Sequence, residues 1–244
     1  MTKYKIHSPF VFDFVNNIFE DERYYHFMGV IENYRRNLLG ISDQIATTNG
    51  FKTVNQLVKS KSISAEVGAI LFKTVHEYQP NTILELGTNL GIATLYQATV
   101  DSTAKVVTLE EDEQIATKTK AYFKRLGTRN IELVGGNVEQ QLPKILKKLE
   151  TIEHLYFNTF WGTAQTLAYF EQCQPYFVPN TVFVFRAPYA NTESLAVWQK
   201  LQQHPKVKLS LDVYNLGFLF FRSEQKEVAH YALIESWKKP WMIY

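Results

Sequence analysis

Cysteine is almost missing from this chain: Cys173 alone stands among 244 residues. That excludes a disulfide framework and any multi-cysteine metal site. A dominant charge is missing too, since 26 Lys and Arg face 24 Asp and Glu for a net +2. Nucleic-acid binding usually needs a strongly basic face, so composition gives no case for that partner. No apolar run approaches the ~18 residues of a membrane span, and residues 1–30 lack a signal peptide's apolar core and cleavage site. The expectation is a soluble, cytoplasmic protein with no membrane partner. Internal repeats, Gly/Pro/Ser-rich linkers and long blocks of one charge are also absent. With 45% hydrophobic and 20% charged residues, disorder is excluded, and the length suits one large domain or a domain plus an appended subdomain. What is abundant is aromatic: 17 Phe, 14 Tyr and 4 Trp make 14% of the chain. Such a content builds either an aromatic-walled pocket or a dense core, and composition does not choose between them.

The period of the apolar residues divides the chain. From Ser8 to about Ser60 it is helical. Ser8 suits an N-cap, Pro9 the first helical position, and Phe10, Phe14 and Ile18 then share one face. A second helix is predicted from about Asp21 to Leu39, ended by Gly40. From Ser64, which caps a helix stopped by Pro80, strands and helices alternate. Predicted strands lie at Thr82 to Leu86, Lys105 to Leu109, Ile131 to Val134, His154 to Phe157 and Thr181 to Phe185. Continuous apolar strands separated by amphipathic helices indicate a parallel sheet covered on both faces. Val207 to Val213 and Leu216 to Phe221 are joined too tightly for a crossover helix, so they form an antiparallel hairpin. The expected fold is therefore α/β and Rossmann-like: seven strands, five parallel plus the terminal hairpin. Residues 1–62 form an N-terminal helical extension, and 63–244 form the ligand-binding domain.

Three segments fall at successive strand ends, where open α/β sheets bind ligands. The first is Glu85-Leu86-Gly87-Thr88-Asn89-Leu90-Gly91. Its G-x-x-x-G spacing is not a pyrophosphate cradle, so the ligand need carry no phosphate. The second is Glu110-Glu111-Asp112, placed for a carboxylate to accept both hydroxyls of a ribose. The third is Gly135-Gly136-Asn137-Val138, whose amides and Asn137 side chain suit the edge of an adenine. Each motif alone occurs often by chance or as a helix cap. Together, with the hairpin, they point to the nucleoside of a methyl donor.

Here the sequence resembles the class I S-adenosylmethionine-dependent methyltransferases, and within them the bacterial branch related to cation-dependent O-methyltransferases. The likeness runs from His7-Ser8-Pro9-Phe10 to the hairpin segment Leu216 to Arg222 and is strongest over Ile83 to Leu95. It implies S-adenosylmethionine as donor, S-adenosylhomocysteine as product, and a small-molecule acceptor. By this resemblance Glu85, Gly87, Thr88 and Gly91 surround the methionine part of the donor, Glu110 holds the ribose, and Asn137 and Val138 flank the adenine. Asn89 and Glu111, beside them, are further donor-binding candidates.

The departures are as informative. Where such enzymes read like FDGNH after the fourth strand, this chain has Phe157-Asn158-Thr159-Phe160-Trp161; where they read like FDDIHW after the fifth, it has Phe185-Arg186-Ala187-Pro188-Tyr189-Ala190. Asn158 thus replaces an acidic residue and is retained only as a donor-site candidate. Arg186 and Ala187 replace an acidic pair, and Tyr189 replaces a His. A divalent ion needs hard, usually anionic oxygen ligands. A guanidinium ~5 Å from a dication costs roughly 6 kcal/mol at an effective dielectric near 20. No metal ligand is therefore assigned.

The remaining catalytic candidates are Tyr189, Arg186 and His7. Arg186 would orient a carboxylate or lower a phenol's pKa, or else simply pair with Glu193; His7 would act as base. Two functions follow: a metal-independent methyltransferase acting on a small aromatic or carboxylate-bearing acceptor, or a catalytically silent relative that binds donor or product, or serves as partner subunit or scaffold. The apolar tail Trp237-Lys238-Lys239-Pro240-Trp241-Met242-Ile243-Tyr244 suits packing, a homodimer or pocket covering. Lys144, Lys147 and Lys148 form too short a cluster for nucleic acid.

Overall fold

A computed structural model describes residues 8–47, 50–213, 215–225 and 227–233. Helix α1 (Pro9–Phe14) starts as its sequence dictates, with the Ser8 hydroxyl accepting from the Val11 amide, and runs on into a single wide π turn over Val15–Phe19. Phe14 and Ile18 are buried as the spacing predicts. Phe10 is wedged against Phe220, with the Arg222 guanidinium above it. Helix α2 (His26–Leu39) ends at Gly40 as read but begins five residues later than expected. The cause is tertiary: the buried Lys73 ammonium binds the Asp21 carbonyl, and the Asp21 carboxylate accepts from the Arg23 amide at 3.0 Å. Those bonds hold the segment after Asp21 outside the helix.

The expectation of helix up to Ser60 fails at residues 44–53. Strands β1 (Gln44–Thr47) and β2 (Gly50–Thr53) pair antiparallel there. Gly50 takes φ +96°, a left-handed value that glycine adopts without a Cβ penalty, and Ile45 and Thr47 are β-branched. Helix α3 (Val54–Lys61) follows at once, opened by a reciprocal capping box between Thr53 and Gln56. Helix α4 (Ala65–Tyr78) is capped by Ser64 as predicted.

The alternating part forms as expected: β3 (Thr82–Leu86), α5 (Ile92–Ala98), β4 (Lys105–Glu110), α6 (Glu113–Leu126), β5 (Ile131–Gly135), α7 (Val138–Leu149), β6 (Ile152–Phe157), α8 (Thr163–Cys173), β7 (Phe177–Arg186) and α9 (Thr192–Gln202). The hairpin β8 (Leu209–Asp212) and β9 (Leu216–Phe220) closes the series. The main sheet holds one strand more than the seven predicted. Strand β10 (Ala229–Ala232) pairs parallel with β8, giving the order β10-β8-β9-β7-β6-β3-β4-β5. Four residues long and alternating in exposure, it is a short edge strand with little apolar signal.

The two faces of the sheet bury two separate cores. Helices α1, α2 and α4 to α6 cover one, where Phe14 meets Phe218 edge-on at 5.0 Å. Helices α7 to α9 cover the other, where Phe183 sits between Phe157 and Phe170 at 5.1 Å from each. Fully burying one such ring contributes about 1.5–3 kcal/mol. These stacks answer the compositional question: many of the aromatic residues build core, while Phe160 and Trp161 line a cleft. Among the described residues, no helix is long and apolar enough to cross a membrane.

Candidate functional site

Chain direction decides where a ligand fits. From β3 the chain moves one way across the sheet to β4 and β5, then returns to lay β6 on the other side of β3. The loops diverge at that switch point, and a cleft of about 540 Å³ opens there. Its walls come from the ends of β3 to β6 and from the β1–β2 hairpin and α3.

The loop after β3 is shaped by three left-handed residues: Gly87 (φ +98°), Asn89 (φ +51°) and Gly91 (φ +77°). A Cβ on Gly87 would lie 2.1 Å from the Thr159 hydroxyl, and one on Gly91 would lie 2.4 Å from the Phe123 ring. Neither position admits a larger residue without displacement. The Gly87 amide donates to the Leu109 carbonyl at 2.8 Å, and Tyr34 of α2 holds the Leu90 carbonyl at 2.9 Å. The bend is therefore fixed from below and from the N-terminal extension.

Glu110 ends β4 facing this loop. Its carboxylate accepts the Asn89 amide at 2.6 Å and the Asp112 amide at 3.1 Å. Burial raises its pKa above the usual carboxylate range, while the two amides and the charge of Lys61 oppose the rise. The result is a carboxylate oriented at the cleft wall before any ligand arrives. Beside it, Glu111 accepts the Trp161 indole N–H at 3.2 Å, across the cleft. Asp112 caps α6 and Asn137 caps α7, both also lining the cleft.

Of the donor-site candidates, Gly87, Asn89, Glu110, Glu111 and Asn137 line the cleft together. Glu85 lies beneath it instead, fully buried, accepting from Thr94, from Thr108 at 2.7 Å and from Gln97 at 3.3 Å. Burial pushes its pKa up to about 7. Thr88 shares a hydrogen bond with Thr108 at 2.6 Å. Gly91 packs under Phe123, and Val138, the first residue of α7, is buried in the core. Asn158 points inward, donating to the Gly87 carbonyl at 2.8 Å and accepting from Tyr156 at 3.2 Å.

Of the catalytic candidates, Arg186 and Tyr189 lie within the described residues, and both bind partners inside the protein. Arg186 donates to the Lys61 carbonyl at 2.7 Å, the Ser62 carbonyl at 3.2 Å and the Asn158 side-chain oxygen at 3.0 Å. Its partners are these oxygens rather than Glu193, and they clamp the α3–α4 joint onto the strand ends. Tyr189 donates to the Asp212 carboxylate, with its pKa raised to about 12 by burial and by that carboxylate. His7 lies outside the described residues. The donor set at Asn158 and Arg186 is an amide oxygen already accepting two hydrogen bonds, beside a guanidinium; it does not fit a divalent cation.

Sequence reasoning missed the opposite wall: Thr47, Lys52, Leu57 and Lys61 come from the hairpin and α3. Asn49-Gly50, a common hairpin dipeptide, was the available signal.

No known protein family matches this chain, and no curated protein does. Solved structures do. An O-methyltransferase from Bacillus cereus, crystallised in complex with SAH, superposes with a TM-score of 0.59 at 16% identity, over 82% of this chain and 92% of its own. A SAH-bound methyltransferase from Podospora anserina gives 0.60 at 16% identity over 82% and 89%. The O-methyltransferase TomG from Streptomyces achromogenes, involved in tomaymycin synthesis and crystallised with SAM, gives 0.59 at 14% identity over 82% and 92%. This chain has the Rossmann-like fold of the S-adenosylmethionine-dependent O-methyltransferases. At these identities the likeness is one of fold.

Proposed function

We propose that the cleft binds S-adenosylmethionine and that the protein is a metal-independent methyltransferase acting on a small acceptor. The observation that carries this reading is Glu110, whose carboxylate is oriented by two backbone amides at the wall of a cleft at the switch point. Its free lone pairs suit a ribose diol, the glycine-shaped loop 87–91 leaves room for the chain beyond it, and Asn137 meets the base. When bound, the donor supplies a methyl group on an already activated sulfonium. The protein's task is then chiefly to hold the acceptor in line, which well-oriented pairs convert into effective molarities of ~10⁵ M or more. Metal independence is supported by the chemistry of Asn158 and Arg186, which offers a cation no anionic ligand.

A second reading has its own support. Arg186 and Tyr189 are committed to internal partners, which favours a silent relative that binds donor or product without turnover. Calorimetric titration with S-adenosylmethionine and S-adenosylhomocysteine, followed by transfer assays on phenols and carboxylic acids with and without Mg²⁺, separates the two. Binding with Mg²⁺-insensitive turnover is expected. Binding alone selects the silent relative, and Mg²⁺-dependent turnover contradicts the metal-independent reading.

A further inference from the structure

We infer that the acceptor is a carboxylate, held by Lys52 of β2 and Lys61 at the end of α3. The inference rests on the donor-binding reading and adds to it the substrate class and the residues that select it.

The cleft is asymmetric in charge. Glu110, Glu111 and Asp112 stand on the strand-end wall, and Lys52 and Lys61 on the wall built by the N-terminal extension. Among the described residues neither lysine ammonium has a hydrogen-bond or salt-bridge partner. Their backbones, however, are fixed. Arg186 binds the Lys61 carbonyl at 2.7 Å, and the salt bridge from Lys118 to Asp43, also 2.7 Å, ties the base of the hairpin to α6. Two cations with no hydrogen-bond or salt-bridge partner among the described residues, presented by clamped segments beside the Phe160 and Trp161 rings, suit an anionic group on a flat apolar body.

The lining chemistry points the same way. Its described residues include no His, Cys or Tyr. Its carboxylates are engaged: Glu110 by two amides, Glu111 by Trp161, and Asp112 by the first turn of α6. A phenol or alcohol must lose a proton as it is methylated, whereas a carboxylate arrives without one. Its oxygen attacks the methyl carbon, the carbon–sulfur bond breaks with its electron pair passing to sulfur, and a methyl ester and a neutral thioether result. No base is needed.

The test is calorimetric titration of benzoate, benzamide and phenol into the protein loaded with S-adenosylhomocysteine, repeated for K52A, K61A, the double variant and the charge-keeping K61R. Exposed ion pairs are worth up to about fivefold each, so the double variant should bind benzoate about tenfold more weakly. K61R should be nearly normal, and binding should weaken as salt rises. S-adenosylhomocysteine affinity should stay within about twofold throughout. Equal binding of benzoate and benzamide overturns the inference, as does an equal fall in S-adenosylhomocysteine affinity, which would assign the lysines to the donor's own carboxylate. If S-adenosylhomocysteine itself does not bind, the donor reading fails first and this inference falls with it.

Discussion

The two sides of the strand-end crevice use their polar groups in opposite ways. At β3 to β5, Glu110 and Asn137 are oriented by backbone and still line open space. At β6 and β7, Asn158, Arg186 and Tyr189 spend their hydrogen bonds on the protein itself. One half of the crevice thus keeps polar groups at open space while the other half serves as scaffold. A polar residue at a strand end is evidence of a site only when its partners leave it room for a ligand.

The sharpest way to break this division is Gly87→Ala. Left-handed backbone and overlap with Thr159 should together cost about 3 kcal/mol. For a chain of this size that lowers Tm by roughly 6–12 °C. S-adenosylhomocysteine binding should vanish in calorimetry, and retained binding would show that the loop does not shape the site.

Two buried titratable groups come next, and both lie away from the cleft surface. Glu85, at about 7, holds its proton in the folded state to higher pH than in the unfolded chain. It therefore contributes stability that is present below pH ~4.5 and lost as pH rises through 7, about 3 kcal/mol in all. His154, fully buried with neither ring nitrogen partnered among the described residues, is depressed to about 3 by desolvation. Its contribution is present above pH ~6.5 and lost as pH falls toward 3. Between about pH 4.5 and 6.5 the two slopes nearly cancel. His154→Phe should unmask the Glu85 slope, making urea-unfolding stability rise as pH falls across that window, and should leave S-adenosylhomocysteine affinity unchanged. A flat profile in that variant would contradict the assignment to Glu85.

Glu110→Gln tests the open side directly. Losing a charged acceptor should weaken S-adenosylhomocysteine by about 10- to 100-fold, with little change in Tm. Arg186→Met tests the other side with the smallest effect on binding. Freeing the 61–62 carbonyls should cost about 1–2 kcal/mol in stability, while affinity stays within about threefold of wild type. Loss of affinity comparable to that of Glu110→Gln would erase the distinction between the two sides.

How legible this was follows from where the determinants lie. The parallel strands, their helices and the terminal hairpin were readable because buried strands are continuous apolar runs and caps such as Ser8 and Ser64 act locally. The start of α2 was not, because a lysine 52 positions away holds Asp21 out of the helix. Strand β10 was too short to announce itself, and the β1–β2 hairpin hid inside a stretch read by helical period. At the cleft, spacing placed Glu110 and Asn137 on loops that line it. It did not separate Glu110, which ends β4 and faces the cleft, from Glu85, which lies one residue inside the end of β3 and is enclosed by three side chains.

The most direct test is a crystal structure of the protein soaked with S-adenosylhomocysteine. The account predicts ribose density within hydrogen-bond distance of the Glu110 carboxylate and the base beside Asn137. An empty cleft, or the nucleoside lodged elsewhere on the molecule, would mean that the fold has been kept without its ligand.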